Sequence, residues 1–259
     1  MKSKADQAAD PNFVTALARG LAVIQAFDHV RPRMTLAQVA QIVDLPRAAA
    51  RRSLLTLKEL GYVASDGKLF YLTPATLRLG FSYLASQPLS QIAQPYVNRL
   101  RERFQESSSV SVMDSHEIIY IARATAIRIL STALNLGSRL PAYCTSMGRV
   151  LLSAMDDEQL DAYFKSVKLI RFTDRTVTGE AELRAILARV KDAGYCIIDQ
   201  EREIGLRSIA VPVRNRTGSV IAALNISGQA GRLEISHMRA ELLPALQETA
   251  TEISLIMPG

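Results

Sequence analysis

The sequence is poor in the residue types that build covalent or metal chemistry. Among its 259 residues are two cysteines and three histidines. Cys144 and Cys196 show no metal-ligand spacing and do not resemble a disulfide framework, so a reducing cytoplasm is the expected compartment. His29 has no second His or Cys near it and reads as a loop residue. There is no GxxxxGK[ST], no HExxH and no GxGxxG after a strand, which removes nucleotide and zinc-hydrolase chemistry. No apolar run precedes Phe13 and none is long enough to cross a bilayer, so neither a signal peptide nor a membrane partner is expected. No cofactor and no metal site are expected. Internal repeats and low-complexity segments are absent too. What is present, 48% hydrophobic and 22% charged residues, is the composition of a globular protein. The length allows one or two domains, each with a core.

The net charge is +6, and it is unevenly placed. The first ninety residues carry eleven Lys or Arg against six Asp or Glu, whereas the rest of the chain carries twenty against nineteen. A basic N-terminal third suits a polyanionic partner.

Within that third, Thr35 to Gly61 reads as two short amphipathic helices joined by a tight turn. Thr35 and Gln38 have capping-box spacing. Leu36, Val39, Ala40 and Val43 form one apolar face. Pro46 suits the first turn of the next helix and places the break at Asp44 and Leu45. In the second helix Ala50, Leu54, Leu57 and Gly61 share one sector and are expected to form the buried seam. Arg51, Arg52, Ala48 and Leu55 point away from it, and Arg47 lies in the first turn. Arginines flanked by three small alanines can approach a DNA backbone and reach guanine edges or phosphates. The plainer reading is a helical hairpin with a solvated basic face.

The surroundings favour DNA. Residues 1 to 11 read as a disordered tail, and Asn12 to Asp28 as a preceding helix marked by Phe13, Leu17, Leu21 and Ile24. Arg31 and Arg33, in the loop that follows, could reach phosphates. After Gly61, two β-prone runs, Tyr62 to Ala64 and Leu69 to Leu72, flank a Ser65-Asp66-Gly67-Lys68 turn. Three helices and such a hairpin make a winged helix-turn-helix, with Lys68 at the wing tip. The domain is expected over residues 12–73. A linker helix is expected over 74–88, and a second domain over 89–259, opened by a helix in which Pro95 predicts a kink or a start.

The second domain has strands at Ser107 to Met113, Ile118 to Ala122, Arg128 to Leu134, Tyr195 to Asp199, Arg207 to Val213 and Ser219 to Ile226. Helices are expected at Thr145 to Met155, Asp156 to Val167, Glu180 to Ala193 and Leu233 to Ile256. Strand pairs with short turns and intervening helices indicate an α+β domain around a mainly antiparallel sheet. The Cys144 to Gly148 run opens a helix, where backbone N–H groups and hydroxyls favour an anion. Arg123, Arg128 and Arg139 lie on or beside the preceding strands and could pair with a carboxylate. Tyr143 and Met147 could pack on an aromatic ring. The plainer alternatives are Thr145 as an N-cap, Met147 as core filler and the arginines as surface charges. An enzyme built on Cys144, His116 and Asp114 is a rival, but no catalytic signature surrounds them. No catalytic residue is assigned. A DNA-binding architectural protein without an effector is a second rival, and the large near-neutral C-terminal region argues against it.

The segments LPRAAARRSLLTLKELGYV, RLPAYCTSMGRVLLSAM, GYCIIDQEREIGLRSIAVPV and VIAALNISG, in that order, resemble the IclR family of bacterial transcription regulators along nearly the whole chain. YCTSMGRVLL, preceded by RILSTALNLGSRLP, looks most like the branch controlling protocatechuate, 4-hydroxybenzoate and β-ketoadipate pathway genes. The resemblance implies a GAF-like effector domain, a homodimer or tetramer, a double-stranded DNA operator, contact with RNA polymerase and a small organic acid effector. It also implies effector contacts from Thr145, Ser146, Met147, Asp199, Glu201, Ser208, Asn225 and Ser227. Two positions depart from the family pattern: Ala48 and Ala49 stand where many members carry Ser or Thr, and Asn225 replaces a frequent serine. A regulator of another carbon pathway, a repressor answering to a non-aromatic keto acid, is the alternative.

Overall fold

A computed structural model describes residues 11–28, 30–86, 88–126 and 134–257. The expected tail, His29, Arg128 and all but the last residue of the Arg128 to Leu134 strand lie outside them. The chain divides into two compact units between Tyr83 and Leu84.

The first unit holds α1 (Thr15–Gln25), α2 (Leu36–Ile42), α3 (Arg47–Glu59), β1 (Val63–Ser65) and β2 (Phe70–Leu72). Thr35 caps α2: Gln38 N donates to Thr35 Oγ1 at 3.3 Å and Thr35 N to Gln38 Oε1 at 2.8 Å. A cap of this kind stabilises a short helix by about 1 kcal/mol. Asp44 takes a left-handed φ of 52° at the turn. Pro46 is the N-cap of α3 rather than a residue of its first turn, because its ψ of 141° is extended. Val23, Val39, Leu54, Leu57 and Val63 form the small core.

Three expectations need correction here. Phe13, Leu17 and Leu21 are exposed, and α1 buries Val23 instead; their periodicity marks an apolar face that this chain leaves open. Gly61 is outside the α3 seam, exposed and left-handed at φ 81°, the conformation that ends a helix. Of the three alanines only Ala48 faces outward; Ala49 and Ala50 are buried. The wing matches its Asp-Gly signal: Asp66 accepts from Lys68 N and Leu69 N, and Val63 to Ser65 pair with Phe70 to Leu72. A bridge from Met34 to Phe70 adds a third chain segment beside it.

After a single 3-10 turn at Pro74–Thr76 comes α4 (Leu77–Ser86), then α5 (Pro88–Phe104), which runs unbroken through Pro95. The second unit continues with β3 (Ser107–Asp114), β4 (Glu117–Ala124), β5 (Arg139–Pro141), α6 (Ser146–Ser153), α7 (Asp157–Ser166), α8 (Glu180–Ala193), β6 (Cys196–Asp199), β7 (Leu206–Arg214) and β8 (Val220–Gln229). A helical turn at Ile235–His237 and a π-helical segment at Met238–Leu242 lead into α9 (Leu243–Ile256). The strand order is β5-β4-β3-β8-β7-β6, and every neighbouring pair is antiparallel. This is the α+β architecture expected from the sequence, a winged helix-turn-helix followed by an antiparallel sheet with helices on its faces.

Strand alternation sends Ile209, Val211, Val213, Leu224 and Ile226 to one face, where Leu89, Ala93 and Val97 of α5 and Leu246 and Ile253 of α9 cover them. The other face presents small side chains, Ser111, Ala210 and Ala223, and this lets α6 lie against the sheet buried along its whole length. Gly148 makes the approach possible at its other side, since a Cβ there would stand 2.1 Å from the Ala142 carbonyl oxygen. Gly148→Ala is therefore expected to lower the midpoint of thermal unfolding by on the order of 5–10 °C, from an overpacking cost of about 2–3 kcal/mol. An unchanged melting curve would show that α6 can move away from Ala142 at no cost.

Candidate functional site

Helix α3 puts Arg47, Ala48, Arg51 and Arg52 on the exposed side of its buried seam. None of the three arginine side chains has an ion pair or side-chain hydrogen bond among the described residues. Lys68 is exposed at the wing tip. The two loop arginines are engaged. Arg31 holds Asp28 at 2.5 Å, and that hydrogen bond is the main reason why the Asp28 carboxyl falls to about 2. Arg33 pairs with Asp66 at 3.5 Å and lies over the Tyr71 ring. Thr35 and Gln38 are spent on the capping box.

The second unit holds a cavity of about 570 Å³ between the open end of the sheet and the start of α6. Its sheet wall is built in cross-strand rows. Arg123, Ser109 and Asn225 sit side by side on β4, β3 and β8, and Ser107, Ser227 and Ser208 form the next row. The facing wall is Thr145, Ser146 and Met147, with Thr145 Oγ1 accepting from Gly148 N as N-cap. Tyr120, Leu140, Ile198 and Leu206 supply apolar surface.

Two cations converge here. Arg123 Nη1 donates to Ser109 Oγ at 2.9 Å, its guanidinium lies over the Tyr120 ring, and its Nε is buried without a partner. Burial draws the Arg123 pKa below the usual guanidinium value, with Tyr120 opposing. Arg202 stacks on Phe172 at 4.2 Å and also has a buried Nε without a partner. Burial raises the Tyr120 hydroxyl, while the charges of Arg123 and Arg202 pull it back. Neither forms an ion pair among the described residues. Of the carboxylates in the lining, Glu106 pairs with Arg232 at 3.3 Å, and Glu203 lies at the rim. The Asn225 Oδ1 is a further buried atom without a partner. A carboxylate can accept from such guanidinium groups and a hydroxyl can donate to the Asn225 oxygen, and buried polar atoms are as a rule hydrogen-bonded.

Other expected pocket residues are turned elsewhere. Glu201 is buried in a bidentate pair with Arg149, at 2.7 and 2.6 Å, and accepts from Val177 N at 3.1 Å. Asp199 pairs with Arg175 and Arg207, the latter bond being the main cause of its lowered pKa. Tyr143 accepts from Ile170 N and donates to Ile170 O, so its ring end is occupied by backbone. Arg139 joins Asp114 and Glu117. Arg202 and Tyr120 were missed from the sequence: each sits in a run of ordinary strand or loop residues with no motif to mark it.

The would-be nucleophile is disarmed. His116 is bonded to Ser166 and Asp114 to Arg139, while burial pushes both Cys144 and Cys196 up to about 12.

A model described as the IclR helix-turn-helix domain matches residues 16–67, and one described as the bacterial transcriptional regulator IclR C-terminal matches residues 81–255. The chain belongs to the IclR family. It is a transcriptional regulator with a DNA-binding helix-turn-helix, and not an enzyme. Among its relatives, the Pca regulon regulatory protein of Pseudomonas putida is 46% identical over 94% of this chain and 84% of its own. A solved structure from Rhodococcus sp. RHA1 superposes with a TM-score of 0.82 at 49% identity, over 94% of this chain and 98% of that one. The inducer-binding domain of the PobR transcription factor from Acinetobacter, solved as a double mutant with 3-hydroxybenzoic acid, is 36% identical. It covers 63% of this chain and 96% of its own, with a TM-score of 0.60. In this IclR-family chain no helix among the described residues is long and apolar enough to cross a membrane.

Thiols that titrate at about 12 are protonated at pH 8, and the reactive form is the thiolate. Native protein should therefore react negligibly with a thiol-specific disulfide reagent at pH 8 within minutes, and both cysteines should react at once after denaturation. A rapid native equivalent would reopen the case for a reactive Cys144.

Proposed function

We propose that this IclR-family regulator governs genes of aromatic-acid catabolism and senses a hydroxylated aromatic acid of the protocatechuate or 4-hydroxybenzoate type in the cavity of its second unit. The observation that carries this reading is the pair Arg123 and Arg202, two guanidiniums with buried unpartnered Nε atoms over one cavity. A carboxylate satisfies such groups, and a bidentate arginine is its usual partner. The ring packs against Tyr120, Met147 and Leu140. Ser208, Asn225 and Ser227 meet its polar substituents, with Thr145 and Ser146 beside them. Arg128 stays a candidate from the sequence alone. The hydroxybenzoate-type ligand and the Pca regulon named for relatives support the branch.

On the DNA side, Arg47, Arg51 and Arg52 read the major groove, Ala48 lets the helix approach the backbone, and Lys68 touches phosphate. The exposed Phe13, Leu17 and Leu21 of the first unit, with Leu77 and Phe81 of α4, suit a homodimer or a tetramer built from it, since contiguous exposed apolar surface marks an interface. A dimer places two α3 helices in successive major grooves and calls for a palindromic or repeated operator with half-sites about one helical turn apart or a multiple of that. The boundaries that fit this division of labour are 12–73 for DNA binding, 74–88 for the linker and 89–259 for the effector. The protein acts in the cytoplasm, where the operator and RNA polymerase are.

Thermal shifts against hydroxybenzoates, protocatechuate, β-ketoadipate, pyruvate and glyoxylate test the sensor, because a ligand of the folded form raises its melting temperature. A selective shift by one aromatic or six-carbon acid is expected, and its loss in Arg123→Met. A shift by the small keto acids alone would discard the aromatic branch. Arg52→Ala should lose operator affinity by about tenfold or more and keep the acid-induced shift. Retention of operator binding would show that α3 is not the reading helix.

A further inference from the structure

Arg123 is held from behind by α5. The outer edge of β4 carries β5 only from Glu117 to Ile119, with Tyr120 exchanging backbone bonds with Gly137 and Ser138 just beyond. From Ile121 on, no strand lies beside that edge among the described residues. Side chains of α5 take the strand's place. Ser90 Oγ donates to the Ile121 carbonyl at 2.7 Å. Gln94 Nε2 donates to the Arg123 carbonyl at 3.1 Å, and Gln94 Oε1 accepts from the Arg123 N–H at 3.2 Å. One primary amide thus meets both backbone groups of one residue, as a peptide of a neighbouring strand would. The second Nε2 hydrogen goes to Asn98 Oδ1 at 2.9 Å, so all three contacts agree on which way the amide faces.

The next residue weakens α5 at this place. Pro95 has no N–H to give the Gln91 carbonyl, so the helix lacks a bond beside the clamp. The start of α5 at Pro88 is two residues beyond Ser86, where α4, the helix that follows the winged unit in the chain, ends. Apolar contacts between α5 and the sheet are non-directional, whereas two hydrogen bonds to a single residue fix the position of the helix relative to that residue.

We propose that Gln94 is a positioning residue that couples effector binding at Arg123 to the helix leading to the DNA-binding unit. This rests on the effector reading above. An acid that draws the Arg123 guanidinium shifts residue 123 of β4, the Gln94 amide carries the shift to α5, and the DNA-bound and free arrangements then differ in their affinity for the acid.

The test uses the full chain, an operator duplex recovered from a random-sequence pool by the wild-type protein, and 4-hydroxybenzoate, protocatechuate and β-ketoadipate as probes. The wild-type operator Kd should change by a factor in the range of about 5–150 when the recognised acid is added. Gln94→Leu should bind the same acid, and the operator without acid, within about threefold of wild type, while its acid-dependent change shrinks by about fivefold or more. Gln94→Met, with a flexible side chain of similar length, guards against a folding defect peculiar to leucine and should give the same result. Asn98→Ala, which leaves both bonds to Arg123, should keep the wild-type response. If the wild type answers to no acid, the effector reading fails and the coupling with it. If the wild type answers and both Gln94 variants answer equally, the role of Gln94 alone is overturned. Loss of acid binding or a collapsed melting temperature in both variants would make Gln94 a structural residue and overturn the proposal as well.

Discussion

Arg149 is a charge inside a helix that is buried from end to end, and Glu201 is what makes that arrangement tenable. The two side chains, 3% and 10% exposed, meet through two parallel hydrogen bonds, and Arg149 Nε donates to the Tyr143 carbonyl. An unpaired cation at that depth would cost several kcal/mol. The pair therefore fixes where α6 starts relative to the loop between β6 and β7. Thr173 and Thr176 add hydroxyl bonds to the Glu201 carbonyl, so the loop is held from both sides. Everything that lines the cavity on its non-sheet side follows from this anchor: Thr145, Ser146 and Met147 belong to the anchored helix start, and Arg202 is the residue after Glu201.

Pairing with a carboxylate marks framework cations elsewhere in the chain too. Arg31, Arg139, Arg149 and Arg207 each have a carboxylate, and each ties a loop or strand end in place. Arg123 and Arg202 have none among the described residues and point at the cavity. Arg47, Arg51 and Arg52 have none and face outward from α3. In the proposed function an anion neutralises Arg123 and Arg202, and a polyanion Arg47, Arg51 and Arg52.

The DNA-binding unit was legible because its signals are local. A capping box and an Asp-Gly turn each specify backbone geometry within four residues, and Thr35 and Asp66 both do this. Periodicity was less informative at α1, where Leu17 and Leu21 share a helix face that is not the core face and Phe13 precedes the helix. Pattern reveals that residues lie together, not what covers them. The pocket was half legible. The family resemblance pointed to Ser208 on β7, to Asn225 and Ser227 on β8 and to the opening of α6, all of which line the cavity, but not to Ser107 and Ser109 on β3. Glu201 and Asp199 were placed in the pocket through the family resemblance, and only the fold shows that Arg149 and Arg207 claim them. Arg202 and Gln94 were invisible because their contacts lie about thirty residues away along the chain, at Phe172 and Arg123.

If Arg123 and Arg202 bind a carboxylate, as proposed, the cavity must distinguish a charged ligand from a neutral one of the same shape. Calorimetric titration of the purified protein with 4-hydroxybenzoate and with its neutral carboxamide keeps ring, hydroxyl and size the same and removes only the charge. The account predicts that the acid binds about tenfold or more tightly than the amide, as expected where a desolvated charge pair is lost, and that Arg123→Met abolishes the difference. Equal affinity for acid and amide would contradict it.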